Sequence, residues 1–271
     1  MLIFQKKVKE FQNYIFDWWR NNVRDLPWRH THDPYKIWIS EVMLQQTQVS
    51  RILPRYAEFI DRFPSVESLA QAKTSDVLRL WKGIGYNRRA LYLKKGAEVI
   101  MDTHKGIMPN KEQELLSLPG IGTYTARAIL VFAYKQDVAM VDTNIRQIIT
   151  HFFFQDAPQT EKNVQYVADQ LVPKGKSWEW HQALMDYGAL RLHSGRRPER
   201  SRRTVQPFRD SNRFYRGRIM DLLREKSWKT DQLIEYGENV YHKPKEFLKE
   251  IIQGLEKDGL IVSTHKTLAL S

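Results

Sequence analysis

Apolar residues recur at intervals of three and four along most of the chain, and short polar joints separate these stripes. This spacing places the apolar side chains on one helix face, so it predicts helix after helix up to about residue 192. The first helix carries the stripe Phe4, Val8, Phe11, Ile15 and Trp18. The second opens at Asp33-Pro34, a cap followed by a first-turn proline. Further helices are predicted over roughly 47–62, 66–72, 74–81, 87–102, 111–117, 124–134, 143–153, 161–171 and 178–192.

The pattern changes in the stretch 194–209, which holds five arginines within residues 196–203 and little apolar content. We interpret 196–211 as a basic linker, which is either a solvated tether or an arm that contacts phosphates. Helical spacing returns over 212–225, 229–236 and 244–258, and two short apolar runs, 259–262 and 267–270, follow around a polar turn. Three helices and a small hairpin resemble a winged-helix module, so we assign 212–271 to a winged-helix-like domain.

Composition narrows the class of protein. The 271 residues suffice for one large domain or two, and 42% apolar with 27% charged residues is typical of a folded chain. Cysteine is absent, which excludes disulfides, thiolate metal sites and cysteine nucleophiles on this chain, and the eight histidines show no metal-ligand spacing. The 43 Lys and Arg against 31 Asp and Glu give a formal charge of +12, which suits nucleic acid or an anionic membrane.

The apolar runs argue against a membrane span, since none approaches about 18 to 20 consecutive residues. The N-terminal segment also lacks the basic-then-apolar order and the small-residue cleavage site of a signal peptide. We therefore expect a reducing compartment, and a cytoplasmic, nucleoid-associated location if the source is prokaryotic.

The segment Leu118-Pro119-Gly120-Ile121-Gly122 lies between two predicted helices, the second of which begins near Thr123. Its glycines permit a tight turn that presents backbone N–H groups at a helix N-terminus, where a phosphate can bind. An ordinary glycine turn between packed helices is the alternative. The Lys-Ser/Thr ending of a nucleotide-binding loop is missing, so in this basic chain a nucleic-acid backbone is the better phosphate source. The segment looks like a helix–hairpin–helix motif.

Two carboxylates are candidates for acid–base chemistry. Glu41 lies among apolar neighbours, where an ionised carboxylate is costly, so it can hold a proton near neutral pH and donate it. Asp142 follows an apolar run and precedes a helix, where it can cap the helix and remain ionised. The simpler interpretations are a solvated helix face and a plain N-cap. One acid and one anion are what cleavage of a glycosidic bond through an oxocarbenium-like state requires.

The chain resembles adenine DNA glycosylases of the MutY type, within the helix–hairpin–helix glycosylase superfamily. The similar segments are RDLPWR at 24–29, DPYKIWISEVMLQQTQV at 33–49, GIGY at 83–86, LPGIG with Tyr124, VDTN at 141–144 and LMDYGA at 184–189. Together they extend over roughly residues 5–195. In this order they identify the superfamily with high specificity.

The resemblance implies a monofunctional DNA glycosylase of base excision repair that removes adenine mispaired with guanine or 8-oxoguanine. Glu41 matches the acid that protonates the leaving base, and Asp142 matches the aspartate that stabilises the sugar cation. Tyr124 stands where bifunctional relatives carry a lysine nucleophile, so little or no strand cleavage at abasic sites is expected. Asn144 matches a residue that supports the catalytic aspartate, whereas Thr143 replaces a glycine common in the family.

The resemblance also assigns binding residues. Gln46 and Tyr86 match side chains that fill or wedge the duplex when the target nucleotide is flipped out. The base-pocket wall corresponds to Arg24, Leu26, Trp28, Arg29 and Asp186. The hairpin that contacts the DNA backbone corresponds to Leu118, Gly120, Ile121, Gly122 and Thr123. Its backbone carbonyls are implied to hold a monovalent cation.

The family's architecture is all-α, with two lobes on either side of a DNA-filled cleft. We expect a glycosylase domain over 1–195, with a six-helix lobe at about 30–135 and a second lobe from 1–29 plus 136–195. We expect Glu41 and Asp142 to face one another across the cleft. The partner is double-stranded DNA with a mispaired or damaged base, and the protein is expected to act as a monomer without a membrane.

Two departures from the family concern the C-terminal part. The family's four iron–sulfur cysteines are missing, so no cluster can form on this chain; either the basic arm replaces its DNA contacts or packing alone stabilises this region. The family's 8-oxoguanine-reading domain is much longer than the roughly 60 residues found here, so the winged-helix-like domain either replaces it or serves another purpose.

Two other functions remain open. The segments 139–142 and 171–176 are similar to thymine mismatch glycosylases, which also place a tyrosine at the position of Tyr124, so excision of thymine or uracil opposite guanine is the first alternative. The second is a non-catalytic DNA-binding protein, which would have no need of both Glu41 and Asp142.

Overall fold

A computed structural model describes residues 2–192 and 208–271 of the chain. The described part is mostly helical, which confirms the all-α prediction. The helices before residue 192 are α1 (Leu2–Trp19), α2 (Pro34–Leu44), α3 (Val49–Arg62), α4 (Val66–Gln71), α5 (Thr74–Leu80), α6 (Arg88–His104), α7 (Glu112–Leu116), α8 (Thr123–Phe132), α9 (Thr143–Phe154), α10 (Glu161–Leu171) and α11 (Ser177–Tyr187). The helix predicted to run to residue 192 ends at Tyr187 and continues as a π-helical turn, Gly188–Leu192.

Local capping explains several helix ends. The Asp33 carboxylate accepts the Tyr35 N–H at 2.9 Å, so the predicted cap and first-turn proline of α2 are confirmed. Thr160 caps α10 by accepting the Asn163 N–H at 3.2 Å. At the other end of α9, Gln155 adopts the left-handed conformation that commonly stops a helix.

The described chain divides into two compact units. The first comprises residues 2–41 and 108–192, and the second comprises 42–107 and 208–271. The core of the first unit is built from α1, α9, α10 and α11. Phe11 lies at its centre, with ring centroids 4.9 Å from Phe152, 5.2 Å from Phe153 and 5.7 Å from Trp180.

The C-terminal module of the second unit has the element order α12 (Asn212–Glu225), β1 (Trp228–Lys229), α13 (Thr230–Tyr241), α14 (Lys245–Lys257), β2 (Ile261–Thr264) and β3 (Thr267–Leu270). The strands form an antiparallel sheet in the order β1-β3-β2. This order fits the winged-helix-like module predicted from the sequence and adds β1, which the sequence pattern did not predict. His265 and Lys266 both have positive φ, as a two-residue type I′ hairpin turn requires.

This division differs from the lobes and the tail expected from the sequence. Residues 42–107 pack with the C-terminal module, because α12 and β3 contact α5, whereas 108–135 belong to the first unit with the N-terminal helix. Most of the predicted basic linker, up to residue 207, lies outside the described residues. Its last residues form a short 3-10 turn at Phe208–Asp210 and the Ser211 cap of α12.

None of the helices in residues 2–192 and 208–271 combines the length and the apolar character needed to cross a membrane.

Candidate active site

Helix α2 places Glu41 in an apolar interior. Ile37, Trp38 and Met43 of the same helix are fully buried, so α2 is covered on most of its surface, and Glu41 is itself only 4% exposed. The apolar neighbours in the sequence therefore reflect real burial and not a solvated helix face. Without a partner, a charged carboxylate at such a position would be strongly disfavoured.

The electrostatics of Glu41 follow from this burial. Desolvation raises the pKa of Glu41 from 4.5 to about 7; a hydrogen bond with Tyr124 partly opposes the rise, and the negative charge of Asp142 adds to it. Burial and the same two carboxylates raise the pKa of the Tyr124 phenol well above 10, so it stays neutral and donates its O–H to Glu41. Glu41 can thus carry a proton at neutral pH, which a general acid needs.

Asp142 caps helix α9. Its side chain accepts the Ile145 N–H at 2.7 Å, so the predicted N-cap is confirmed. The positive end of the helix dipole favours the ionised form of a carboxylate at this place. Glu41, Tyr124 and Asp142 belong to the same unit, and the structure couples the three electrostatically.

A buried histidine, which no sequence motif marks, holds the segment that precedes Asp142. His181 of α11 accepts the Met140 N–H at Nε2 (3.1 Å), while its Nδ1 donates to the Ser177 carbonyl (2.7 Å). Burial lowers the pKa of His181 to about 4, so the ring is neutral and can accept through Nε2. It ties the extended segment before Asp142 to α11.

Asn144 lies in the first turn of α9, against the π-helical turn. A Cβ built on Gly188 would lie 2.7 Å from the Cβ of Asn144, closer than folded proteins allow. The glycine therefore permits the two backbones to approach. The expected support of Asp142 by Asn144 stays a prediction.

The glycine-rich segment forms a turn between α7 and α8, as predicted. Gly120 has φ +76°, and the Ile121 N–H donates to the Leu118 carbonyl at 3.2 Å, with both apolar side chains buried. Gly122, the N-cap of α8, has an ordinary φ of −97°, and no atom lies within 4 Å of a built Cβ. Its lack of a side chain is thus not required by the fold and leaves room for a close external group.

A cavity of about 350 Å³ opens beside this turn, with Thr123 and Tyr124 in its lining. Arg127, Arg146 and Lys162 line it together with Glu161. Arg127 pairs with Glu112 at 2.7 Å and Arg146 with Glu161 at 3.3 Å, so Lys162 supplies the excess positive charge. No motif in the sequence marks these three cations.

Two of the residues predicted to wall a base pocket, Arg24 and Arg29, are brought together on a third, Asp186, whose side chain is fully buried. Arg29 binds its carboxylate through two N–H groups at 2.7 and 2.8 Å, and Arg24 binds through Nε and its backbone N–H. The Trp19 indole, which sequence reasoning missed, adds a hydrogen bond of 2.9 Å. The pKa of Asp186 is lowered because these hydrogen bonds and charges outweigh its desolvation.

This cluster gives Arg24, Arg29 and Asp186 a structural task. Leu26 and Trp28, between the two arginines in the sequence, are both buried. The contribution of these five residues to a base pocket stays a prediction.

The predicted wedge residues Gln46 and Tyr86 lie in the second unit, and both have positive φ, 53° and 49°. Such strain in non-glycine residues often marks functional sites. Arg89, which no sequence signal marked, holds both loops: its guanidinium donates to the carbonyls of Gln45 at 2.7 Å and Gly85 at 3.0 Å. Burial lowers the pKa of Arg89 to about 10.

Across residues 2–192 and 208–271, no three His, Asp or Glu side chains come together in a way that could hold an ion. A monovalent cation on the carbonyls of the hairpin stays a prediction.

Comparison with known proteins places the chain among repair proteins. Over 233 residues it is 36% identical to the adenine DNA glycosylase of Mycolicibacterium smegmatis, an alignment that covers 78% of this chain and 79% of that protein. It is 34% identical over 189 residues to the thymine/uracil-DNA glycosylase of Methanothermobacter thermautotrophicus, covering 68% of this chain and 86% of the relative. The solved structure of a thermostable thymine-DNA glycosylase superposes with a TM-score of 0.64 at 33% identity, covering 68% and 87% of the two chains.

Residues 39–174 match the family model described as HhH-GPD superfamily base excision DNA repair protein, a stretch that contains Glu41, the hairpin, Tyr124 and Asp142. The buried carboxyl, the capped aspartate and the glycine turn therefore lie within the matched region. The chain belongs to the HhH-GPD superfamily of base excision DNA repair proteins.

Proposed function

We propose that the protein is a monofunctional DNA N-glycosylase that flips adenine, mispaired with guanine or 8-oxoguanine, out of the duplex and hydrolyses its N-glycosidic bond. The observation that carries this proposal is Glu41, a buried acid whose pKa of about 7 keeps a proton available at neutral pH. A purine leaves well only when a ring nitrogen such as N7 is protonated. Glu41 has the burial and the protonation state for that task.

The proposed reaction needs two carboxyl groups in different protonation states. Glu41 gives its proton to N7 of adenine as the C1′–N9 bond breaks, and the bonding electron pair leaves with the base. The Asp142 carboxylate, held by the Ile145 N–H, stabilises the positive charge that develops on the sugar. Water then adds to C1′, and the proton that it loses restores Glu41. The products are free adenine and an abasic site.

Tyr124 supports a reaction without strand cleavage. A Schiff base at C1′ needs an amine, and a phenol whose pKa is raised well above 10 is neither an amine nor an anion. In the proposed mechanism its O–H keeps a hydrogen bond on Glu41 and orients the acid.

We propose that the protein acts as a monomer on double-stranded DNA, and three features support DNA as the partner. The formal charge of +12 suits a polyanion. The open space at Gly122 and the N-terminus of α8 allow a backbone phosphate to approach the N–H groups. Lys162 adds positive charge beside the same turn, where Arg127 and Arg146 are paired with Glu112 and Glu161.

Removal of thymine or uracil opposite guanine is the second candidate. The relative named thymine/uracil-DNA glycosylase, 34% identical, is the observation in its favour. A pyrimidine has no N7, so in this reaction Glu41 would need another role. The two candidates therefore differ in whether excision depends on a protonated Glu41.

The test is single-turnover excision from duplexes with A opposite 8-oxoguanine, A opposite G, T opposite G and U opposite G, with alkali added to reveal abasic sites. We expect excision of A only, and no strand breaks before alkali. Glu41→Gln should slow excision by about 10²- to 10⁴-fold, since it removes the acid. Asp142→Asn should slow it by about 10²- to 10³-fold while DNA binding persists.

The exposed residues Glu250 and Asp102 provide matched controls. Glu250→Gln and Asp102→Asn make the same chemical changes outside the site and should excise at the wild-type rate. The wild-type rate should fall as the pH rises above about 7, and the Glu41→Gln residual rate should not. Excision of T or U alone would establish the second candidate, and DNA binding without any excision would reduce the protein to a non-catalytic DNA-binding protein.

A further inference from the structure

The second unit contains a cavity of about 770 Å³ whose arginines have no task in the proposed reaction. One side is formed by the loops that carry Gln46 and Tyr86, and the other by α12 of the C-terminal module. We call it the arginine cavity, after the residues that dominate its lining. Its volume falls within the range of pockets that hold a nucleotide-sized ligand.

Charge sets this cavity apart. Its described lining contains seven arginines and two aspartates, an excess of five positive charges (7 − 2). Asp221 and Asp258 are both paired with arginines of the lining. Within the described chain, Arg51 and Arg213 form no ion pair with a carboxylate. Guanidinium groups crowded in this way repel one another unless an anion lies among them, and their planar forks suit phosphate oxygens.

Arg213 makes an unusual contact with the predicted wedge residue. Its guanidinium lies 4.0 Å from the centroid of the Tyr86 ring and donates to the Tyr86 hydroxyl at 2.8 Å. Tyr86 is 39% exposed and has a strained φ of 49°, so surrounding contacts must hold it. One arginine thus fixes the orientation of an exposed aromatic face at the edge of a cationic cavity.

We propose that the arginine cavity binds one nucleotide of the DNA duplex, with its phosphodiester against Arg51 and Arg213 and its base stacked on Tyr86. The C-terminal module then belongs to the DNA-binding surface, and Arg213 has two roles: it contacts the phosphate, and it positions Tyr86. The inference rests on the proposed function, because it takes duplex DNA as the partner. Phosphate for the guanidinium groups and a base face for the tyrosine are both supplied by a nucleotide within a strand.

The first experiment measures duplex affinity by fluorescence anisotropy over a range of salt concentrations, using the intact chain and a duplex with A opposite G. Arg51→Ala and Arg213→Ala should each lower the slope of log affinity against log salt by about one, since each removes one phosphate contact. Lys95→Ala removes an exposed positive charge of the same unit outside the cavity and should keep the wild-type slope. Wild-type slopes for both arginine variants would overturn the proposal.

Lys249→Ala separates the cavity from another way in which the module could bind DNA. Lys249 is exposed on α14, the third helix of the module, and does not line the cavity. If the module binds through that helix, Lys249→Ala lowers the slope and the arginine variants do not. That result would overturn the proposal, whereas the reverse pattern supports it.

Arg213→Lys tests positioning, because it keeps the charge and loses the planar contact with Tyr86. The salt slope should stay at the wild-type value. The fluorescence of 2-aminopurine placed beside the target base rises when the bases unstack. In Arg213→Lys the rate of this rise should be lower than in the wild type by roughly fivefold or more, the scale of one lost stacking contact. An unchanged fluorescence rise would remove the positioning role of Arg213.

A mononucleotide tests whether the arginine cavity binds a nucleotide within a DNA strand or a free nucleotide, since both carry a phosphate and a base. In a titration, dGMP should compete only weakly with the duplex. If dGMP instead binds tightly, and Arg213→Ala abolishes this binding without changing duplex affinity, the cavity is a site for a small ligand and the proposal is overturned. The anisotropy readout needs no excision. If the arginine variants lower the salt slope but the wild type excises no base, the cavity proposal stands and the proposed function fails. If the wild type excises a base but the arginine variants keep the wild-type slope, the proposed function stands and the cavity proposal fails.

Discussion

Glu41 is a carboxyl group whose charged form the fold disfavours. Its carboxyl is buried among apolar side chains and is placed near the Asp142 carboxylate, and both effects disfavour its charged form. The Tyr124 hydrogen bond only partly compensates. A folded-state pKa above that of the unfolded chain means that the folded state binds the proton more tightly.

This linkage predicts that the contribution of Glu41 to the free energy of unfolding depends on pH. Its contribution to stability is fully present below about pH 4.5 and is lost as the pH rises through about 7, so the native state weakens toward alkaline pH. Glu41→Gln cannot ionise. Between pH 5 and pH 8, the free energy of unfolding of Glu41→Gln should therefore gain about 2–3 kcal/mol relative to wild type, measured by urea unfolding.

Glu250→Gln, an exposed counterpart, should show no such gain. A difference between wild type and Glu41→Gln that stays constant over this pH range would show that Glu41 does not titrate near 7. The proposal that Glu41 acts as a protonated general acid would then lose its main support.

At the scale of elements, the start of α9 depends on how closely the π-helical turn approaches it. Asp142 caps the helix, and Asn144 stands two residues later against Gly188. A built Cβ on Gly188 also lies 3.6 Å from the Asn144 Cα, so the obstacle is the helix start itself and not the tip of a mobile side chain. The position of the Asp142 carboxylate thus depends on a glycine in another element.

Gly188→Ala should therefore displace the start of α9. We expect a loss of about 1–3 kcal/mol in the free energy of unfolding, the usual scale for overpacking, and slower single-turnover excision. The control is Gly217→Ala in α12, where a Cβ meets nothing within 4 Å and alanine should stabilise the helix by about 0.5–1 kcal/mol. Wild-type stability and excision in Gly188→Ala would contradict the packing argument.

At the scale of the whole molecule, the C-terminal module is part of a larger packing unit. Arg224 of α12 is buried and donates to the Leu78 carbonyl and the Asn87 side chain, both at 3.0 Å. It also pairs with Asp221 at 2.8 Å. These bonds join the module to α5 and to the start of α6, within one unit.

Arg224→Ala should loosen this whole unit. The cost is expected to be about 2–4 kcal/mol, because the change leaves the Leu78 carbonyl and the Asn87 side chain without their donor and removes the closer of the two arginine partners of Asp221. Hydrogen exchange should rise in both 42–107 and 208–271 and stay unchanged in 2–41 and 108–192. Arg79→Ala, which removes an exposed pair with Asp76, should cost under about 1 kcal/mol. Faster exchange confined to 208–271 would show that the module folds independently.

Local patterns were sufficient to predict much of this protein. Apolar spacing predicted the helices, because a helix buries one face whatever it packs against, and the caps at Asp33 and Asp142 follow from side chains that bond their own backbone. The glycine turn and the two candidate carboxylates could be recognised for the same reason. The order of the motifs predicted the family, which the comparisons confirmed.

Contacts between distant residues could not be predicted in this way. Nothing near Arg89, His181 or Arg224 in the sequence signals that each would be buried on partners 40 or more positions away. The grouping of 42–107 with the C-terminal module likewise depends on which faces meet. By itself the sequence determined the helices, the caps, the turn and the chemistry available. Only the tertiary structure decided which charges are buried and paired, because desolvation and long-range hydrogen bonds exist only once distant segments have packed together.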